Sequence, residues 1–213
     1  MLILNKQNKE KLKIVFLATI GFGLLAHAFA YFNLEYSHDS LMVVSQDDNW
    51  QVSLGRFLQP LYIYFRGRIN APWLIGTLSL AFLSIAVWFM LDLFNIWKKS
   101  YVVALCGIFA TNVTLICLNA TYLPWVDMFM LSLLFAVVSA WITFRYRFGF
   151  LPGAILLFVS MAIYQSYLAV FVTLAMLYAI YCILNYRGMK ETLRLTLHAV
   201  VCGAISAILY NVC

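Results

Sequence analysis

Phe150–Leu184 reads FLPGAILLFVSMAIYQSYLAVFVTLAMLYAIYCIL, a run without a single Asp, Glu, Lys or Arg. As one helix at ~1.5 Å per residue it would extend ~52 Å, against a hydrocarbon core of ~30 Å. That is far too long for one crossing. The polar tetrad Tyr164-Gln165-Ser166-Tyr167 divides the run near its middle. The sequence therefore predicts two short spans that meet at this tetrad, close to one membrane interface.

The composition around this stretch agrees. Of 213 residues 65% are hydrophobic and 10% charged, and the mean hydropathy is +0.91. A soluble domain is about half apolar and about a quarter charged, so the chain reads as an integral membrane protein. The net charge of +6 is then a topology signal, and nucleic acid is not an expected partner. The five cysteines lie in or beside apolar runs without CxxC or Cys/His ligand spacing, so they imply neither a disulfide nor a metal site. The basic N-terminus precedes an apolar run, Ile14–Phe32, that exceeds a signal-peptide core and lacks a good cleavage site. It reads as an uncleaved first span, and His27 near its end reads as a satisfied or interfacial histidine.

Moving outward from Phe150, the earlier spans are Ile14–Phe32, Pro72–Phe94, Val102–Leu118 and Val126–Phe144. Leu195–Cys213 follows as the last. Thr111, Asn112 and Thr114 lie on the third span and read as helix-to-helix contacts. The expected fold is all-α: a polytopic membrane protein of about seven transmembrane helices, a single membrane domain over 1–213. With the N-terminus in the cytoplasm, Lys6, Lys9, Lys11, Lys13, Lys98, Lys99, Arg145, Arg147, Arg187, Lys190 and Arg194 all fall inside, as the positive-inside rule requires. A single span over Phe150–Leu184 would move Arg187, Lys190 and Arg194 outside, which is the second argument for dividing it. Cys213 then ends on the outer side.

Three arginines remain outside, and all belong to the loop between the first two spans, residues 33–71. The loop also holds Glu35, Asp39, Asp47 and Asp48. Partnership with these acids is one explanation for Arg56, Arg66 and Arg68. An anionic ligand at the outer leaflet is the other, since the guanidinium fork matches phosphate oxygens. Leu54, Phe57, Leu58, Leu61, Tyr62 and Phe65 fall at helical spacing, with Arg56, Gln59 and Arg66 opposite. This predicts an amphipathic surface helix that holds its arginines at headgroup depth, with Pro60 kinking it or starting a second short helix. Asp39 follows the first span closely, within Ser37-His38-Asp39-Ser40. It reads either as a helix N-cap or as a general base, with Glu35 as the second candidate base. Asp47-Asp48-Asn49 reads as solvated loop, a further acidic contact or a metal ligand.

The order His38-Asp39-Ser40, Leu54-Gly55-Arg56-Phe57-Leu58 and Ile163-Tyr164-Gln165-Ser166-Tyr167 resembles the GT-C superfamily of membrane glycosyltransferases. Within it the chain is most similar to the serotype-converting O-antigen glucosyltransferase family, over most of Ile14–Leu184. The resemblance implies an inverting polyprenyl-phosphate-dependent hexosyltransferase with an aspartate or glutamate of the first outer loop as base. The sugar, usually glucose, would pass from a lipid-linked donor to a cell-surface glycan on the outer face of the bacterial cytoplasmic membrane, with no cofactor and no metal. On this reading Asp39 and Glu35 are the catalytic candidates. Arg56, Arg66, Arg68, Asp47, Asp48, Tyr164 and Gln165 are the substrate-binding ones. Ser40 stands where the family carries its second acid, leaving Asp47 or Asp48 as substitutes. Family chains are also typically longer, so an N-terminal fragment is the expectation. Two other readings compete: a transporter or flippase of lipid-linked sugars, and a non-catalytic membrane subunit or fragment. A transporter calls for ionisable groups in mid-membrane. Here Asp92, Asp127 and His198 lie near span ends.

Overall fold

The structure, a computed structural model, describes residues 6–33, 37, 49–185 and 188–212. Those residues form helices α1 (Lys6–Phe32), α2 (Asn49–Ser53), α3 (Gln59–Phe65), α4 (Pro72–Leu93), α5 (Lys99–Ala110), α6 (Val113–Thr121), α7 (Val126–Arg145), α8 (Phe150–Tyr164), α9 (Leu168–Leu184) and α10 (Met189–Val212). There is no strand among them. Among the described residues six stretches are long and apolar enough to cross a membrane: Lys9–Phe32, Pro72–Leu93, Lys99–Thr121, Leu123–Arg145, Phe150–Leu184 and Met189–Val212. The protein is an all-α polytopic membrane protein. It divides into two compact units, Met1–Asp48 with Arg66–Met130, and Asn49–Phe65 with Leu131–Cys213.

In the first unit α1 packs on α4 and α5. Gly76 makes the close approach possible, because a Cβ there would land on the Tyr31 ring. The stretch predicted as one third span is instead two helices, broken at Thr111–Asn112. The residues read as helix-to-helix contacts are the reason. The Asn112 side chain accepts from Leu115 N at 2.9 Å and so caps α6. The break also frees the Ala110 carbonyl at the end of α5, and His27 Nε2 donates to it at 2.8 Å. The histidine on the first span is satisfied, as expected, and its partner is the carbonyl freed by the break. In a bilayer an unpaired backbone group costs several kcal/mol, so a broken span needs such a side chain to close it.

In the second unit α7 and α8 run antiparallel, joined by small polar residues. Ser132 Oγ donates to Ser160 O at 2.8 Å and Ser160 Oγ returns the bond to Ser132 O at 2.8 Å. Further along, Ser139 Oγ donates to Gly153 O at 2.7 Å. On the other side α10 runs parallel to α8: His198 stands by Phe150, and Ser206 Oγ donates to Ala154 O at 3.0 Å.

The deciding stretch folds back on itself. As one helix it would separate Gly153 and Tyr178 by ~38 Å. Yet a Cβ at Gly153 would meet Thr143, and Tyr178 stacks on Phe144, the next residue, at 4.5 Å between centroids. The chain reverses at a 3₁₀ turn, Gln165–Tyr167, after Tyr164 adopts an extended backbone (φ −156, ψ 102). The division expected at Tyr-Gln-Ser-Tyr is present, and the stretch long enough to cross once is a pair of shorter antiparallel helices.

Candidate functional site

The turn at Gln165 creates a chemical problem that the loop between α1 and α4 solves. Because α8 stops at Tyr164, the carbonyls of its last turn have no partner within the helix. Leu58 N donates to Ala162 O at 3.1 Å, and Gln59 Nε2 donates to Ile163 O at 2.8 Å. Gln165 Nε2 answers by donating to Leu54 O at 3.0 Å. Gly55 takes the backbone through φ +79, which favours glycine, and its carbonyl accepts the Tyr210 hydroxyl at 3.1 Å. A Cβ at Gly55 would collide with that hydroxyl. Phe57 packs its ring on Phe158 and on Tyr210, each 6.0 Å away. Leu54–Gln59 is therefore fixed to the end of α8 and to α10 from several directions.

This fixing delivers Arg56. Its guanidinium lies 4.5 Å from the centre of the Tyr164 ring, a cation–π contact that strengthens as water is excluded. A cation beside the C-terminus of α8 is also favoured by the helix dipole. Neither contact uses the N–H donors. Arg56 Nε is buried without a hydrogen-bond partner among the described residues, and so is Gln165 Oε1. A guanidinium and an amide side chain thus meet at the same turn. That pair suits a ligand carrying phosphate oxygens and a hydroxyl.

The expected surface helix is shorter than its hydrophobic stripe. Gly55 breaks it, so only Gln59–Phe65 is helical and Pro60 lies in its first turn. Gln59 is 1% exposed, while Leu61, Tyr64 and Phe65 are 50%, 70% and 77% exposed, so the polar and apolar sides lie opposite each other as the spacing predicts. Against lipid the apolar side faces outward, and the polar side turns inward to bond freed carbonyls.

In the first unit Arg66 has a different setting. Its Nη1 contacts both oxygens of Asp127, at 2.7 and 2.8 Å, and the Pro124 carbonyl at 3.0 Å. Nη2 donates to Asn70 Oδ1 at 3.0 Å. The two charged side chains are 3% and 0% exposed. Among the described residues the carboxylate beside Arg66 is thus that of a span, not of the loop. Asp127 was missed as a partner, although it is the one acid on the predicted outer side beyond the first loop. Arg68 is exposed and left-handed at φ 56.

Asp39, Glu35, Asp47 and Asp48 lie outside the described residues, as do His38, Ser40, Arg187 and Cys213. Ser37, two residues before Asp39, donates its hydroxyl to the Thr121 carbonyl at the end of α6. Of the substrate-binding candidates, the structure brings Arg56, Tyr164 and Gln165 together. Gln59 and Tyr210 complete that cluster. Gln59 stands opposite the apolar stripe in the sequence, and Tyr210 is marked by no motif there. Among the described residues no group of three His, Cys, Asp or Glu forms a metal site.

No curated protein and no solved structure matches the chain significantly. The family model for glucosyl transferase GtrII matches residues 28–213, from the end of α1 through the whole of the following loop and every later helix, and the chain belongs to that glucosyltransferase family.

Proposed function

We propose that the protein transfers glucose from a polyprenyl-phosphate donor to a cell-surface glycan, with inversion, on the outer face of a bacterial cytoplasmic membrane. The observation that carries this reading is Arg56. An arginine held by its face on Tyr164 at the end of a broken apolar helix, with no carboxylate beside it among the described residues, is suited to a lipid phosphate bearing a sugar. The family supplies the glucosyl group and the transfer. Arg66, neutralised by Asp127, holds the end of the loop.

In the proposed reaction the acceptor hydroxyl gives its proton to the Asp39 carboxylate while its oxygen attacks the anomeric carbon. The bond from that carbon to the phosphate oxygen breaks, and its electron pair leaves on the polyprenyl phosphate. Arg56 stabilises the charge that grows there. Asp39 is chosen for its place just beyond the first span and its anchored neighbour Ser37. Glu35 is the alternative base, and Asp47 or Asp48 would contact the sugar or acceptor.

The test is transfer of labelled glucose from polyprenyl-phosphate glucose to membrane glycan. Asp39→Asn keeps capping ability but removes the base, so turnover should fall by about 10²–10⁴ with the donor KM little changed. Near-full transfer would make Asp39 a cap and Glu35 the next base. Absence of transfer from this donor in the unaltered protein would refute the reading.

A further inference from the structure

We propose that the groove between α9 and α10 holds the single isoprenoid tail of the donor lipid, a proposal that rests on the donor reading above. The groove has a volume of about 440 Å³ and is lined from Leu168 to Ala179 on α9 and from Thr196 to Ala204 on α10. Along α9 that is ~17 Å of helix. Its wall is apolar: the one hydroxyl, Thr196 Oγ1, is turned back to the Thr192 carbonyl of its own helix at 3.0 Å. Whatever lies there presents no polar group over that length.

The mouth of the groove adjoins the Arg56 site. Arg56 lies on Tyr164, the Tyr164 and Tyr167 rings are 5.6 Å apart, and Leu168, the next residue, is the first to line the groove. On the other wall the Tyr210 hydroxyl holds Gly55, next to Arg56, and Ala204 lies ~9 Å further down the same helix. A ligand with an anionic head at Arg56 would therefore find the near end of an apolar groove just beyond the Tyr164–Tyr167 pair. The groove runs between only two helices and suits one chain, as on a polyprenyl phosphate, rather than the two of a diacyl phospholipid.

Gly203 supplies an independent sign. Glycine inside a helix costs about 1 kcal/mol relative to alanine. Here no neighbour demands it, since a Cβ at Gly203 would meet nothing within 4 Å. The open space is the groove, and a larger side chain would fill it without a clash at its Cβ.

The experiment uses the full chain in membranes, with a polyprenyl phosphate carrying a photoreactive group in an isoprene unit near the phosphate. Label should map to α9 and α10, and be displaced by unmodified polyprenyl phosphate and reduced in Gly203→Phe. Label elsewhere, equal displacement by phosphatidylglycerol, or blockage by the α9–α10 face of a second copy would overturn the proposal. A kinetic arm compares long-tailed and geranyl-tailed glucose donors. Gly203→Phe should raise KM for the long-tailed donor by about tenfold more than for the short one, with Gly203→Ala as the folding control. An unaltered protein that uses neither donor would sink the donor reading. One that uses both, with Gly203→Phe folded and indifferent to tail length, would sink the groove alone.

Discussion

Arg66 and Arg56 come from one loop of the sequence and carry the same planar fork, yet their surroundings differ. Arg66 is enclosed: both Asp127 oxygens and the Pro124 carbonyl bond its Nη1, and the Asn70 side chain bonds its Nη2. Arg56 is held by the face of its fork, on the Tyr164 ring, with no carboxylate beside it among the described residues. A carboxylate neutralises an arginine, whereas an aromatic face fixes it and leaves its charge available. Position in a loop therefore says little about which arginine can take an anion. The atoms each one contacts say more.

The largest effect that would test this contrast is on stability. Arg66→Ala leaves Asp127 buried without its cation, which should cost about 3–5 kcal/mol. Thermal unfolding of the detergent-solubilised protein would register the loss. Arg66→Met combined with Asp127→Leu should recover most of it, because replacing a buried pair by apolar residues is about neutral. Wild-type stability in Arg66→Ala alone would break the comparison at its first half.

A smaller effect is expected at the support of Arg56. Gln59→Leu strands the Ile163 carbonyl and should cost about 1–3 kcal/mol by the same unfolding measurement. No loss would mean that the loop does not close the end of α8. Smaller again, Tyr164→Leu removes the ring under Arg56. It should raise the donor KM roughly two- to thirtyfold, the span of ~0.5–2 kcal/mol, with Tyr164→Phe close to wild type. Equal KM values in both variants would separate Arg56 from its aromatic support.

Much of this was legible beforehand. The reversal inside Phe150–Leu184 followed from length alone, and its position followed from Tyr-Gln-Ser-Tyr. The meeting of Arg56 with Tyr164 and Gln165 was only implicit, as three motifs in a familiar order. The helical stripe of the loop was legible, but its break at Gly55 and the carbonyl that Gln59 bonds were not, because both depend on contacts with a distant part of the chain. The break at Asn112 was also not foreseen. Local propensity along an apolar run gives no sign of a cap whose other half, His27, lies on a different helix.

The most direct test places the two arginines side by side in the glucose-transfer assay, with donor KM as the readout. Arg56→Ala should fold and raise that KM about ten- to hundredfold, the loss of one charge-assisted contact of ~1.5–3 kcal/mol, and Arg56→Lys should recover only part because the fork is gone. The paired Arg66→Met, Asp127→Leu protein should keep a donor KM near wild type. An unchanged KM in folded Arg56→Ala, or the loss appearing in the paired variant instead, would contradict the assignment of the donor phosphate to Arg56.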